Sequence, residues 1–129
     1  GSSNTVSYTI VSDVMKRVVT CPASNTTTVL TFNSNVHGAA GAIDTEDCKY
    51  IRITNLDDTE TLELAVVGAA TLYQVSLRKG ESHVMGSADG QMLAEADTSP
   101  SFGTMADLAS VQVNPGSNAI DVEVFVASA

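Results

Sequence analysis

Residues 120–126 alternate strictly between two kinds of side chain. One stripe consists of four β-branched residues: Ile120, Val122, Val124 and Val126. The other stripe consists of Asp121, Glu123 and Phe125. Successive side chains of a β-strand point to opposite faces, so this period of two predicts a strand with one buried face. The β-branched stripe predicts that the strand lies near the centre of a sheet or closes it.

The same alternation recurs along most of the chain. It is found in residues 5–10, 27–32, 50–54, 62–66, 73–77 and 109–113. Residues 15–21 are rich in β-branched side chains and are expected to be extended, and residues 81–85 are expected to form a further strand. Turn residues separate these segments, as in Asn55-Leu56-Asp57-Asp58 and in the run from Asn114 to Asn118. Short alternating strands with frequent turns predict an all-β domain spanning residues 1–129, an antiparallel two-sheet sandwich or jelly roll of about eight strands.

Finer predictions follow from individual segments. Pro22 limits residues 15–21 to a sheet edge or a strand end. In residues 27–32, Leu30 and Phe32 are expected on one face and Val29 and Thr31 on the other. Residues 62–85 are expected to form two or three consecutive antiparallel strands. The aromatic residues Tyr8 and Tyr73 fall on apolar stripes and are expected in the core.

Two segments lack alternation, residues 33–47 and 86–106. They predict two long loops, with one or two helical turns at residues 91–96, which are good helix formers. Long connections are uncommon in compact domains and usually serve contacts or function. We therefore expect these loops to contribute to any working surface.

Composition disfavours several partners. The chain of 129 residues has 6 Lys+Arg and 15 Asp+Glu, a net charge of −9, which disfavours binding to a nucleic-acid backbone. No apolar run approaches the roughly 20 residues that a membrane-spanning helix needs. The absence of Trp leaves few aromatic walls for stacking on a glycan or a base.

No catalytic pattern is evident, and we expect neither an enzyme nor a cofactor. The segment Gly86-Ser87-Ala88-Asp89-Gly90 has Ala88 where a nucleophile elbow needs Ser. The chain has two histidines, His37 and His83, and residues 80–86 supply one of them where a cupin-type metal site would need two. The sequence therefore predicts no catalytic residues and no metal ligands.

Two features leave alternatives open. Cys21 and Cys48 lack metal-site or redox-motif spacing, so they are either reduced thiols or a disulfide between neighbouring strands. The acidic turns (Asp44, Glu46 and Asp47; Asp57, Asp58 and Glu60) are either solvated turns or oxygen ligands for Ca²⁺.

Phe125 lies on the outward stripe of the most apolar strand. It is expected either to be covered by a second sheet edge and loop or to form part of a subunit interface. The candidate interface residues on the outward stripes and in the second loop are Tyr50, Met92, Leu93, Phe102 and Phe125.

The middle of the chain resembles the small β-rich virion proteins of tailed bacteriophages, especially capsid decoration or cement proteins. The resemblance rests on residues 50–55 (YIRITN), 62–66 (LELAV) and 73–82 (YQVSLRKGES). It implies a non-enzymatic homotrimer that binds the major capsid protein on the outer surface of the virion and stabilises the shell. It also implies that an N-terminal arm, residues 2–11, pairs as an added strand.

Other functions fit the same pattern. One alternative is a tail or head-fibre component. A second is a lectin-like or adhesin-like module that binds carbohydrate or depends on Ca²⁺, and a third is a degenerate cupin-like enzyme.

Overall fold

A computed structural model describes residues 13–34, 41–96 and 98–129. Nine strands are present in this part of the chain: β1 (Asp13–Cys21), β2 (Thr27–Asn33), β3 (Ile43–Asp44), β4 (Cys48–Asn55), β5 (Leu62–Gly68), β6 (Leu72–Leu77), β7 (Ser82–Met85), β8 (Leu108–Asn114) and β9 (Ile120–Ser128). The expected N-terminal arm, Tyr8 and His37 lie outside the described residues.

The strands form two sheets with the connectivity of a jelly roll. Sheet A has the order β1-β9-β4-β7, and sheet B has the order β3-β2-β8-β5-β6. Apart from the two-residue β3, which is parallel to β2, all pairs are antiparallel, and four of them are nested: β1 with β9, β2 with β8, β4 with β7, and β5 with β6. The pairs β4–β9 and β5–β8 complete the two sheets. Nested pairing of eight strands in two sheets is the jelly-roll arrangement. The expected all-β, antiparallel sandwich is therefore confirmed.

Strand β9 lies at the centre of sheet A, between β1 and β4. Its β-branched stripe is fully buried, as the alternation predicts. Strand β1, which ends just before Pro22, is an edge strand, also as predicted. The facing stripe of sheet B includes Leu64, Val66 and Val111, which are fully buried. Burial of each such side chain contributes about 1.5–3 kcal/mol. The apolar layer formed by these two facing stripes is therefore the main source of stability.

A β-bulge in β2 overturns one prediction. The register between β2 and β8 shifts between Thr28 and Leu30, so Val29 is an extra residue on its strand. Val29 and Leu30 are consequently both buried, and the expected alternation between them is wrong. The Arg17 guanidinium of β1 donates a hydrogen bond of 2.7 Å to the carbonyl oxygen of Val29, across the open edge between the two sheets.

The middle of the chain crosses between the sheets more often than expected. Strands β5 and β6 form an antiparallel pair, but the turn at residues 78–80 carries the chain to sheet A, where β7 pairs with β4. Two consecutive antiparallel strands, β5 and β6, are therefore confirmed, whereas a third neighbour in the same sheet is not formed. Most sequential strands of a jelly roll belong to opposite sheets, and alternation within a strand does not reveal which sheet it joins.

Asn55 holds the two crossovers of the middle segment together. Its side chain is fully buried, and its amide nitrogen donates to the carbonyl oxygens of Glu60 and Leu77, both at 2.9 Å. Its side-chain oxygen accepts from the backbone N–H of Asp57 at 2.8 Å. The turn residue therefore also satisfies buried polar groups at the end of the sandwich.

The second long loop folds back on itself without forming a helix. The helical turns expected at residues 91–96 are wrong. Met92 instead forms an isolated antiparallel bridge with Ala106, with N–H···O distances of 3.1 and 2.6 Å. Helix propensity is a weak preference, and the buried Met92 side chain anchors this segment in an extended form.

Candidate assembly surfaces

A groove of about 460 Å³ lies where the second loop meets the beginning of β6. Five of its side chains are apolar and exposed: Leu72, Tyr73, Leu93, Phe102 and Met105. Phe102 is the most exposed, with 87% of its surface accessible. Polar residues also line the groove, namely Thr71, Gln91, Glu95 and Ser101. Single exposed apolar residues are ordinary, whereas contiguous groups of them are typical of interaction sites. We call this surface the apolar groove.

The loop that forms one wall of the apolar groove is anchored to the sandwich. The Met92 sulfur packs against the backbone of Gly68, where a Cβ atom would lie only 3.0 Å from it. The backbone N–H of Gly90 donates to the Asp107 carboxylate at 2.9 Å, and that of Leu108 donates to the Ala88 carbonyl at 2.8 Å. These contacts fix the groove wall relative to β5 and β8.

The structure places the three interface candidates from this loop differently. Leu93 and Phe102 lie on the apolar groove. Met92 also lines the groove, but it is 7% exposed and belongs to the hydrophobic core, so little of its surface is available to a partner. A methionine in an irregular loop fills a gap in the core, which the sequence pattern alone does not distinguish from exposure.

Sequence reasoning missed three residues of the groove, namely Leu72, Tyr73 and Met105. Tyr73 was expected in the core but is 37% exposed. Its stripe does face the interior, as the buried Leu77 shows, but β6 is the edge strand of sheet B, and its first residues are incompletely covered. The sequence contains no signal for an edge position here.

Tyr73 closes the open edge between the sheets. Its hydroxyl oxygen lies 2.7 Å from Nε2 of His83 on β7, and the two rings meet edge to face at 5.6 Å. Burial raises the pKa of Tyr73 and lowers the pKa of His83, because both environments disfavour the charged form. The unprotonated Nε2 of a neutral His83 can accept a hydrogen bond from the Tyr73 hydroxyl.

The other two interface candidates, Tyr50 and Phe125, lie on the outer face of sheet A. Their rings pack edge to face at 5.9 Å, and the Arg52 guanidinium lies 4.9 Å from the centre of the Phe125 ring. Phe125 is thus half-buried by side chains of the neighbouring strand β4. Among the described residues these ring contacts come from β4, and both the covering by a second sheet edge and loop and the subunit interface stay predictions.

The outer face of sheet A combines apolar and basic groups. Three valines at its margins are more than half exposed: Val14, Val18 and Val84. Lys16 and Arg52 flank Glu123, with N···O distances of 3.7 and 3.2 Å. The carboxylate is therefore neutralised by two cations, and this part of an otherwise acidic protein is not strongly negative.

Both cysteines are free and fully buried. Cys21 pairs with Ile120 at one end of β9, and Cys48 pairs with Ser128 at the other end. Eight residues of strand separate these ends, a distance of about 26 Å, so the two thiols cannot form a disulfide within one chain. Burial raises the pKa of the Cys48 thiol to about 11 and also raises that of Cys21.

The acidic turn after β4 is organised by hydrogen bonds. The Asp57 carboxylate accepts from the backbone N–H groups of Glu60 and Thr59 at 2.7 and 3.0 Å, and these bonds lower its pKa. Across residues 13–34, 41–96 and 98–129, no three acidic, His or Cys side chains are grouped so that they could hold a metal ion. The described residues also contain no helix that could cross a membrane.

Comparisons with known proteins identify no family. No protein-family model matches the chain, and no curated protein is significantly similar to it. Among solved structures, the chain is similar to one from the study "Bacillus endospore appendages form a novel family of disulfide-linked pili", with 9% identity and a TM-score of 0.48. The alignment covers 97% of this chain and 96% of that chain, but the likeness is too distant to support a functional conclusion.

Proposed function

We propose that this protein is a non-enzymatic structural subunit of a bacteriophage virion, a homotrimeric decoration protein that binds the outer capsid surface and stabilises the shell. Jelly rolls also occur in lectins and cupins, so the fold does not decide the function. The observation that carries the proposal is the apolar groove. The resemblance of residues 50–82 to decoration proteins provides its second support.

The apolar groove is the proposed contact between copies of the chain. Its exposed side chains come from two anchored elements, the second loop and β6, so the surface is already shaped without a partner. Covering Phe102 and Leu93 would remove apolar surface from water, the dominant favourable contribution to protein association. Aromatic residues and methionine, both present here, are enriched in such interfaces.

The outer face of sheet A is the proposed contact with the shell. It offers Tyr50, Phe125 and the three exposed valines on a flat surface, together with Lys16 and Arg52. The excess of acidic groups elsewhere keeps free subunits soluble and directs the less negative face toward the shell.

Light scattering coupled to size exclusion tests the contact between copies. The wild-type protein is expected to be a trimer, and Phe102→Ser is expected to shift it toward a monomer. Leu56→Ser is the matched control, because Leu56 is also an exposed apolar residue but lies at the opposite end of the sandwich. A wild-type monomer at high concentration, or equal effects of the two variants, would contradict the proposal.

Co-sedimentation tests attachment to the shell. The gene is expected to lie beside that of a major capsid protein, and shells assembled from that protein are expected to bind the wild-type chain. Arg52→Ser should weaken binding, whereas Arg78→Ser, at the turn after β6, should not. Failure of the wild-type chain to bind these shells would reject the decoration role.

A further inference from the structure

The outer face of sheet B is almost uncharged. Its outward positions on β5, β6 and β8 alternate with buried ones: Glu63, Ala65, Val67, Leu72, Gln74, Ser76, Ser110, Gln112 and Asn114. The outward positions of β2 are Thr28 and Thr31. Glu63 is the one charged residue in this described set, although the whole chain has 21 charged residues. The face therefore differs from the remainder of this acidic protein.

A trough of about 340 Å³ runs across this face. Its floor is Ala65, which is in register with Gln112 of β8 on one side and with Gln74 of β6 on the other. The two amide side chains thus stand two strand spacings apart, about 10 Å, with a methyl group between them. The volume of about 340 Å³ falls at the lower end of the range for small-molecule sites, about 300–1,000 Å³.

The two ends of the trough have different chemistry. At one end, Val67 and Leu72 provide an aliphatic surface. At the other end, the Asn114 amide donates to the Glu63 carboxylate at 3.2 Å, which holds the carboxylate in place. A few positioned polar groups beside an apolar wall are the usual composition of a small-molecule site.

We propose that this trough binds a neutral oligosaccharide. Each primary amide offers two N–H donors and an oxygen acceptor, and the carboxylate accepts. The Gln112 amide nitrogen already donates to the Ser110 hydroxyl at 3.1 Å, which leaves its second N–H and its oxygen for a ligand. Gln74, Gln112 and Glu63 can thus together engage hydroxyl groups as donors and as acceptors. The aliphatic end contacts the C–H face of a sugar ring. An anionic ligand would be repelled by the net charge of −9, and a cation would meet a single carboxylate, so a neutral polyhydroxyl ligand fits best.

The site faces away from sheet A. If sheet A contacts the shell, which rests on the proposed function, the trough points outward and can reach glycans in the surroundings. The binding itself does not depend on that orientation, because every residue of the trough belongs to one chain.

Chemical-shift titration of the isotope-labelled protein tests the site. The probes are neutral oligosaccharides built from glucose, mannose, galactose or N-acetylglucosamine, added to millimolar concentration. At least one probe is expected to shift the amide signals of residues 63–67, 72–76 and 110–114. Absence of shifts with every probe, or shifts centred elsewhere, would overturn the proposal.

Variants then assign the binding to the trough. Gln74→Ala and Gln112→Ala are each expected to weaken binding of that probe about tenfold, the effect of losing one well-formed hydrogen bond. Ala65→Phe should abolish binding by filling the floor, while its dispersed spectrum shows that the fold persists. Gln91→Ala, outside the trough, is the matched control, and an equal loss in that variant would also overturn the proposal. Phe102 does not line the trough, so Phe102→Ser should leave sugar binding unchanged, which separates this test from the test of trimer formation. Leu72 lines both surfaces and is therefore not used as a variant in either test.

Discussion

Tyr73 and His83 are joined by a 2.7 Å hydrogen bond that ties the edge strand of one sheet to the edge strand of the other. Arg17 and the Val29 carbonyl form the corresponding link at the opposite open edge of the sandwich. The two sheets are therefore connected by polar contacts at both edges, outside the apolar layer between them.

The first link makes stability depend on pH. The folded-state pKa of His83 is lowered from 6.5, so between that pKa and 6.5 the unfolded chain binds more protons than the folded one. The free energy of unfolding should therefore fall as the pH decreases from about 7, and this contribution levels off below the folded pKa. Thermal unfolding measured across this range checks the slope. His83→Gln should flatten it, whereas His37→Gln serves as the comparison, and a slope that survives in His83→Gln would contradict the assignment.

The second link predicts a difference between two adjacent basic residues. Arg17→Met removes the donor to the bulged Val29 carbonyl and should lower the free energy of unfolding by about 1 kcal/mol. Lys16→Met removes an exposed ion pair with Glu123 at 3.7 Å and should cost less than about 0.5 kcal/mol. Chemical denaturation of both variants measures the difference. If the two variants lowered the free energy of unfolding equally, the hydrogen bond from Arg17 to the Val29 carbonyl would not contribute to stability.

Asn55 should tolerate almost no substitution. Asn55→Asp keeps the shape of the side chain but replaces the N–H donor to the Glu60 and Leu77 carbonyls with a buried acceptor. The expected loss of stability is about 3 kcal/mol or more, since it combines an unpaired buried group with a buried charge. Denaturation of Asn55→Asp beside Asn118→Asp, an exposed position, provides the measurement. Similar stability of the two variants would contradict the role of Asn55.

The cysteines should be unreactive in the folded protein. Both are fully buried, and the raised pKa of about 11 for Cys48 leaves little thiolate at neutral pH. Mass spectrometry after iodoacetamide treatment should show no label on the native chain and two labels after denaturation without reductant. If the denatured chain also remained unlabelled, the two cysteines would be joined in a disulfide. That result would contradict the register that places them at opposite ends of β9.

Prediction from the sequence was most successful where burial is regular. The β9 stripe and the inward residues of β4 and β5 follow from alternation, because a strand with one buried face requires it. The edge position of β1 follows from Pro22. Prediction failed at Val29, where a bulge changes the period, and at Met92, where a core contact overrides helix propensity. The candidate surfaces were found in part: Leu93 and Phe102 could be placed in a loop, but their neighbours Leu72 and Tyr73 belong to a strand distant in sequence.

The amino-acid pattern by itself determined that this chain is an antiparallel β-sandwich, because period-two burial is a local property of each segment. Its composition likewise determined an acidic surface poorly suited to nucleic acid. The tertiary structure alone decided which strands are neighbours, and so which side chains share a surface. Nested pairing brings β6 beside the second loop to form the apolar groove, and it aligns Ala65 between Gln74 and Gln112. Those juxtapositions depend on contacts between segments far apart in sequence, and the local pattern of hydrophobicity does not encode them.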